Sequence, residues 1–177
     1  MTRLDETRTF IPVSIAILTV SDTRTAETDR SGDTLAERIA EAGHWLADRA
    51  ICADDIAAIR GHVRTWTADP STDVVITTGG TGFGPRDHVP EAMSEGVERE
   101  APGIPEAARA HGQDRTPFSM LSRARAGIRG DTLIVNLPGS RGGVSDSLDA
   151  LFPGLIHAFK MLRGDAHEHD PRPEGTS

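Results

Sequence analysis

The run Thr78-Gly79-Gly80-Thr81-Gly82-Phe83-Gly84-Pro85-Arg86-Asp87 holds the residue types that phosphate chemistry needs. Glycines lack a Cβ, so successive N–H groups can turn inward together and form a concave nest for an oxyanion. Arg86 adds a fixed cation. Asp87 cannot bind phosphate itself, because like charges at close range repel, so it reads as a ligand for magnesium. A second turn-rich run, Leu137-Pro138-Gly139-Ser140 through Gly143, leads towards a helix start near Ser145 and Asp146. Its amides and the Ser140 hydroxyl offer an anion site at a helix N-terminus, or else form a plain proline turn. The polar stretch from Ser21 to Gly32, which includes Asp22, Asp29 and Ser31, is either a third wall or a solvated loop with Asp29 or Ser31 as helix cap. Asp54 stands at or just before another helix start, where a carboxylate answers the helix dipole or serves a ligand. Neither glycine run has the Gly-x-x-x-x-Gly-Lys-Ser form, and no Gly-x-Gly-x-x-Gly follows the first strand, which excludes Walker-type and dinucleotide sites.

The elements that must position these residues alternate in period. Val13 to Val20 is a β-branched run that predicts a buried strand. Leu35, Ala36, Ile39 and Ala40 share a helical face, with Gly43 placed for a left-handed cap, so a helix spans about 31–42. A strand over 45–52 precedes Ile56, Ile59, Val63 and Trp66 at helical spacing. A strand over 73–77 feeds the glycine run, and Pro90-Glu91 opens the next helix. Residues 101–130 hold Pro102, Pro105 and Pro117 and show no clear period, while 132–136 is again a strand. From Val144 to Leu162 an apolar stripe recurs, which Pro153-Gly154 is expected to break into two short helices. This order predicts an α/β fold: a three-layer α/β/α sandwich with a mostly parallel sheet, since parallel strands need crossover helices. Both glycine-bearing loops leave strand ends, so both emerge on one side of the sheet and can line one pocket.

The 177 residues suffice for one core, expected over 12–164, with 1–11 and 165–177 as loose tails. His167 and His169 in the second tail read as solvated rather than as a metal site. A single cysteine, Cys52, forms no internal bridge. The longest apolar run, Val13 to Val20, is far short of a bilayer span, and no secretory leader is evident, so a cytoplasmic protein without membrane partners is expected. The net charge is -8, from 19 basic and 27 acidic residues, and no basic stripe with interleaved aromatics appears, which argues against nucleic acid. An acidic chain can still take an anionic small molecule where donors are concentrated at one site.

Four motifs in order resemble the MoaB/Mog group of molybdenum cofactor biosynthesis proteins, to which domains of gephyrin also belong. They are Ser21-Asp22 with Asp29-Arg30-Ser31-Gly32; Thr78-Gly79-Gly80-Thr81-Gly82 with Arg86-Asp87 and Pro90-Glu91; Ala101-Pro102-Gly103; and Asn136-Leu137-Pro138-Gly139-Ser140. The resemblance implies a three-layer subunit, assembled as a homotrimer or hexamer, that binds molybdopterin and works with other proteins of the molybdenum cofactor pathway. Active members adenylylate the terminal phosphate of molybdopterin with ATP and Mg2+, releasing pyrophosphate. On that pattern Asp54 and Asp87 are the catalytic and metal-holding pair. Ser21, Asp22, Asp29, Ser31, Gly32, Thr78, Gly79, Gly80, Thr81, Gly82, Arg86, Pro138, Gly139 and Ser140 form the ligand-binding set. Members that lack the full acidic set resemble a binding or scaffold module instead. Where many relatives read Asp-Val-Thr-Pro-Glu, this chain has Asp87-His88-Val89-Pro90-Glu91, so the helix loses a hydroxyl cap unless Asp87 or water replaces it.

Overall fold

The computed structural model describes residues 10–164. Strands and helices follow as β1 (Ser14–Val20), α1 (Arg30–Glu41), β2 (Trp45–Cys52), α2 (Ile56–Ala68), β3 (Val74–Thr78), α3 (Val89–Ser94) and β4 (Arg99–Glu100). Then come α4 (Gly103–Gln113), a 3-10 turn at Pro117–Leu121, β5 (Ala126–Arg129), β6 (Thr132–Leu137) and α5 (Arg141–Leu162). One six-stranded sheet has the order β2-β1-β3-β6-β5-β4. β1 pairs in parallel with β2 and β3, and β3 with β6, while β5 and β4 join antiparallel at one edge.

The period-two alternation of the central strands divides the core. Ile15, Ile17, Val74, Ile76, Leu133 and Val135 face Leu35 and Ile39 of α1 and Val144, Leu148, Leu155 and Phe159 of α5. Ala16, Leu18, Val75 and Ile134 face Ile59, Val63 and Trp66 of α2 and Val89, Ala92 and Met93 of α3. Side chains that alternate about the strand axis thus bury both sheet faces, which gives the three layers. The α1 crossover lies on one face and that of α2 on the other, so the winding reverses at β1, where open α/β sheets leave a crevice beyond the strand ends.

Two expectations need correction. The stripe from Val144 to Leu162 belongs to one helix, α5, with Pro153 inside it. Proline removes one N–H and costs about 3 kcal/mol in a helix interior. Leu148, Leu151, Leu155 and Phe159 on the opposite side are buried, at about 1.5–3 kcal/mol per side chain, which outweighs that penalty. Pro153 and Gly154 face solvent, where water can take the orphaned carbonyl. The segment 101–130, which showed no period, contains α4, the 3-10 turn and β5. Pro102 is the N-cap of α4 and Pro105 lies in its first turn, where N–H groups have no helical acceptor anyway, so these prolines start the helix.

No helix among the described residues is long and apolar enough to cross a membrane. The expected tails, with His167 and His169, lie outside the described residues except for Phe10 and Ile11.

His44 closes the turn between α1 and β2, its N–H donating to the Ile39 carbonyl at 3.0 Å. It is buried, stacked on Phe10 at 5.3 Å and tilted against Phe152, and its Nδ1 accepts the Val13 N–H at 3.3 Å. Burial holds its pKa below the ordinary value. A histidine that resists protonation when folded but takes the proton when unfolded costs stability as pH falls below about 6.5, the unfolded value, and stops costing more once the folded group titrates. Denaturant midpoints for the protein should therefore fall as pH drops below about 6.5. The fall should be smaller in His44→Gln, and equal slopes in both would remove His44 as the cause.

Candidate functional site

The ends of β1, β3 and β6 lie in register, Thr19 beside Thr78 and Thr78 beside Leu137, so their following loops meet. Gly79 adopts φ +100 and Gly80 φ +64, left-handed conformations open to glycine. A Cβ on Gly79 would collide with the Val20 carbonyl, and one on Gly139 would stand 3.2 Å from the Gly79 Cα. Hydrogen bonds then lock the loops: Gly79 N–H to the Leu137 carbonyl at 3.1 Å and Thr78 Oγ1 to the Pro138 carbonyl at 2.8 Å. The hydroxyl of Ser31 and the guanidinium of Arg24 both donate to the Gly139 carbonyl, at 2.7 and 2.9 Å. Since the Gly79 amide is spent on Leu137, the amides left for a nest are those that follow, from Gly80 to Phe83, which meet no acceptor among the described residues.

A cavity of about 730 Å³ opens beside this junction. Gly80, Thr81, Gly82 and Asp87 line one side and Pro138, Gly139, Ser140 and Gly143 a second, so the two loops do share one pocket. The opposing wall, from Pro105, Ala108, Phe118, Leu121 and Ala124, belongs to the segment that showed no sequence period. Ser140 caps α5 by accepting the Gly143 N–H at 3.1 Å. Asn136, also at the pocket, is buried, and its Nδ2 donates to Thr77 Oγ1 at 2.9 Å.

Asp87 sits inside the curl of its own loop. Its Oδ2 accepts the Gly84 N–H at 2.8 Å, and a Cβ on Gly82 or Gly84 would press to 2.8 Å of that oxygen. Oδ1 takes no donor among the described residues. Asp54 lies outside the cavity lining, against Gly80, where a Cβ would come within 2.5 Å of its Oδ2. Its Oδ1 accepts the His88 N–H at 3.0 Å. Burial raises the Asp54 pKa, and the charges of Asp87 and Asp22 push it the same way against the lowering effect of His88. Each carboxylate thus keeps one oxygen without a donor among the described residues, and Asp54 feels the charge of Asp87. Two hard oxygen donors under mutual repulsion suit Mg2+, which keeps most of its coordination for water and phosphate.

The segment from Ser21 to Gly32 does not line the cavity; it holds the loops from behind. Asp29, expected among the ligand-binding residues, is fully buried and caps α1. Burial alone would raise its pKa, but the Thr19 hydroxyl at 2.6 Å, the Gly32 amide at 3.0 Å and Arg49 at 2.9 Å together hold it below the ordinary range. A Cβ on Gly32 would overlap that carboxylate. Asp29 and Gly32 therefore act as supports with no access to a ligand in the cavity, and Ser31 serves through Gly139. Ser21 Oγ accepts the N–H groups of Thr23 and Arg24 at 3.2 Å. Asp22 bridges: its Oδ1 accepts the Asp54 N–H at 3.2 Å and its Oδ2 pairs with Arg86 at 2.8 Å. Arg86, expected at the pocket, is outside its lining and engaged by Asp22.

At α3 the cap position is His88, with no side-chain cap bond, and Asp87 does not replace it. Val89 is fully buried in the core, so the position gives packing in place of a hydroxyl cap. Cys52 has its pKa pushed up to about 11 by burial and by Asp54 and Asp55, and so remains a neutral thiol. Among the described residues, His111, Asp146 and Asp149 bring possible ligand atoms within 4.8 Å. Arg115 pairs with Asp146 and Arg38 with Asp149, which makes this an ion-pair network already neutralised by two cations. The residue that sequence reading missed altogether is Arg123, which reaches the glycine loop from 41 positions away.

A family model described as a probable molybdopterin binding domain matches residues 16–157. The chain belongs to the MoaB/Mog family of molybdenum cofactor biosynthesis proteins. Molybdenum cofactor biosynthesis protein B of Escherichia coli strain K12 is 44% identical over 132 residues, covering 74% of this chain and 78% of that one. The bifunctional molybdenum cofactor biosynthesis protein of Chlorobaculum tepidum is 38% identical over 154 residues, 86% of this chain but 49% of that longer protein. A crystal structure of a molybdenum cofactor biosynthesis protein B superposes with a TM-score of 0.84 at 37% identity, covering 89% of this chain and 99% of the other. A MogA structure gives 0.78 at 35% identity, over 84% and 99%.

Gly79→Ala should cost roughly 2–4 kcal/mol, the upper part of the range for single substitutions, because the methyl group meets backbone in a left-handed conformation. Gly61→Ala in α2, where the added methyl meets nothing within 4 Å, should instead stabilise by about 0.5–1 kcal/mol. Chemical denaturation of both variants checks the pair, and a neutral Gly79→Ala would refute the close approach.

Proposed function

We propose that the protein adenylylates molybdopterin with ATP and Mg2+, giving adenylylated molybdopterin and pyrophosphate. The observation that carries this reading is the placement of Asp54 and Asp87 against one glycine loop, each with an oxygen free of donors among the described residues, next to the cavity. A phosphate oxygen of molybdopterin attacking the α-phosphorus of ATP requires two anions to approach. At about 4 Å two unit charges repel by about 1 kcal/mol in water but about 4 kcal/mol at an effective dielectric near 20. The amides from Gly80 to Phe83 and the start of α5 lower that cost by donating to phosphate oxygens. Asp54 and Asp87 would hold Mg2+, which supplies charge neutralisation on the phosphates when bound. The apolar side chains of Pro105, Ala108, Phe118, Leu121 and Ala124 on the facing wall suit a flat heterocycle. No protein nucleophile is required, consistent with the neutral thiol of Cys52.

Arg86 is 74% exposed at its side chain, so exchanging Asp22 for a phosphate costs little desolvation. Exposed Phe83, Phe118, Met120 and Leu121 near the cavity support burial against further copies in a homotrimer or hexamer, and the family supports a place beside other proteins of the pathway in the cytoplasm. The second reading, a binding module that holds molybdopterin without transfer, is favoured by Asp54 lying outside the cavity lining.

Asp87→Asn separates the two, because the amide oxygen can still accept from Gly84 while the charge is lost. Pyrophosphate release with ATP, Mg2+ and molybdopterin should fall on the order of 100-fold or more, with molybdopterin affinity retained. Release unchanged in the variant would contradict the role of Asp87. Tight binding without release in the wild type would establish the binding module.

A further inference from the structure

Arg123 binds the glycine loop at three of its carbonyls. Its backbone N–H donates to the Thr81 carbonyl at 2.8 Å. Its Nε donates to the Gly82 carbonyl at 2.8 Å and its Nη2 to the Asp87 carbonyl at 2.8 Å, while Nη1 pairs with Glu91. One planar fork thus closes the curl that surrounds the Asp87 carboxylate, and it does so from outside the cavity lining.

Peptide planarity converts these carbonyl contacts into directions for the amides that follow, since a trans peptide sets C=O and the next N–H on opposite sides. With the Thr81 and Gly82 carbonyls turned to Arg123, the N–H groups of Gly82 and Phe83 must point away from it. With the Asp87 carbonyl turned to Arg123, the His88 N–H points away as well, and there it meets Asp54 Oδ1 at 3.0 Å. A chain therefore runs from the guanidinium through the 87–88 peptide to Asp54.

We infer that Arg123 is a positioning residue that sets the peptide planes of the glycine loop, and through the 87–88 peptide the orientation of Asp54. The kinetic part of this inference rests on the adenylyl-transfer reading; the structural part does not. Lysine cannot replace Arg123, because a single ammonium can pair with Glu91 but lacks the fork that spans two carbonyls. An ordinary ion pair would be satisfied by lysine.

The test compares wild type with Arg123→Gln, Arg123→Lys and Glu91→Gln in the full chain, reading amide hydrogen exchange at His88 against Gly79, whose N–H is held by Leu137. Exchange at His88 should rise about tenfold or more in both Arg123 variants, the scale of one net hydrogen bond. It should stay near wild type at Gly79 and in Glu91→Gln. With transfer active, kcat should fall in both Arg123 variants while molybdopterin affinity is kept. Wild-type protection at His88 in Arg123→Lys, or the same loss in Glu91→Gln, would reduce Arg123 to a charge partner and overturn the inference. If Arg123→Gln unfolds, Gly79 loses protection too, and Arg123→Lys with Glu91→Gln still decides. Absence of pyrophosphate release from the wild type would remove the proposed reaction and leave the exchange result standing.

Discussion

Everything at the site depends on backbone meeting backbone where β1, β3 and β6 end. Gly79 passes between the Val20 carbonyl and Gly139 with no space for a side chain on the Val20 side, so three loops from distant parts of the chain touch directly. Parallel register brings the ends level, and the missing Cβ allows them to close. The hydrogen bonds of Thr78, Ser31 and Arg24 to Pro138 and Gly139 then hold a junction already defined by sterics. Flexible side chains alone would not keep two carboxylates and a set of amides in fixed relation, because each ordered rotamer costs entropy.

Charge is managed by burial in layers. Asp29 lies deepest, fully enclosed and satisfied by a hydroxyl, an amide and two arginines, so it stays ionised and fixes the first loop. Asp54 is less well compensated and its pKa is raised, first by burial and then by neighbouring acids. The contrast marks which acid stabilises the fold and which has capacity left for something outside the protein.

The α/β class, the four parallel strands and both loops were legible in the sequence because their signals are local: β-branched runs, helical spacing, and glycines directly after strands. Asp29 was legible as a helix cap, but its burial was not, since that depends on Thr19 and Arg49, which only the fold brings near. Pro153 misled because a local penalty was weighed without the buried face of α5. Pro102 and Pro105 misled because prolines that open a helix look like prolines that forbid one. Arg123 left no signal at all: apart from Glu91 its acceptors are backbone carbonyls, and carbonyls have no sequence.

The cavity is divided between two kinds of structure. One side is welded to the sheet ends, whereas the facing wall from Pro105 to Ala124 comes from the excursion between β3 and β6, next to the antiparallel edge of β5 and β4. Substitutions at its cavity-facing side chains, such as Phe118 and Leu121, can reshape the facing wall and leave the strand ends intact, whereas Arg123 in the same segment is tied to the glycine loop. The shape of the cleft and the set of its loop can thus vary apart from one another, except at Arg123, where the two halves are joined.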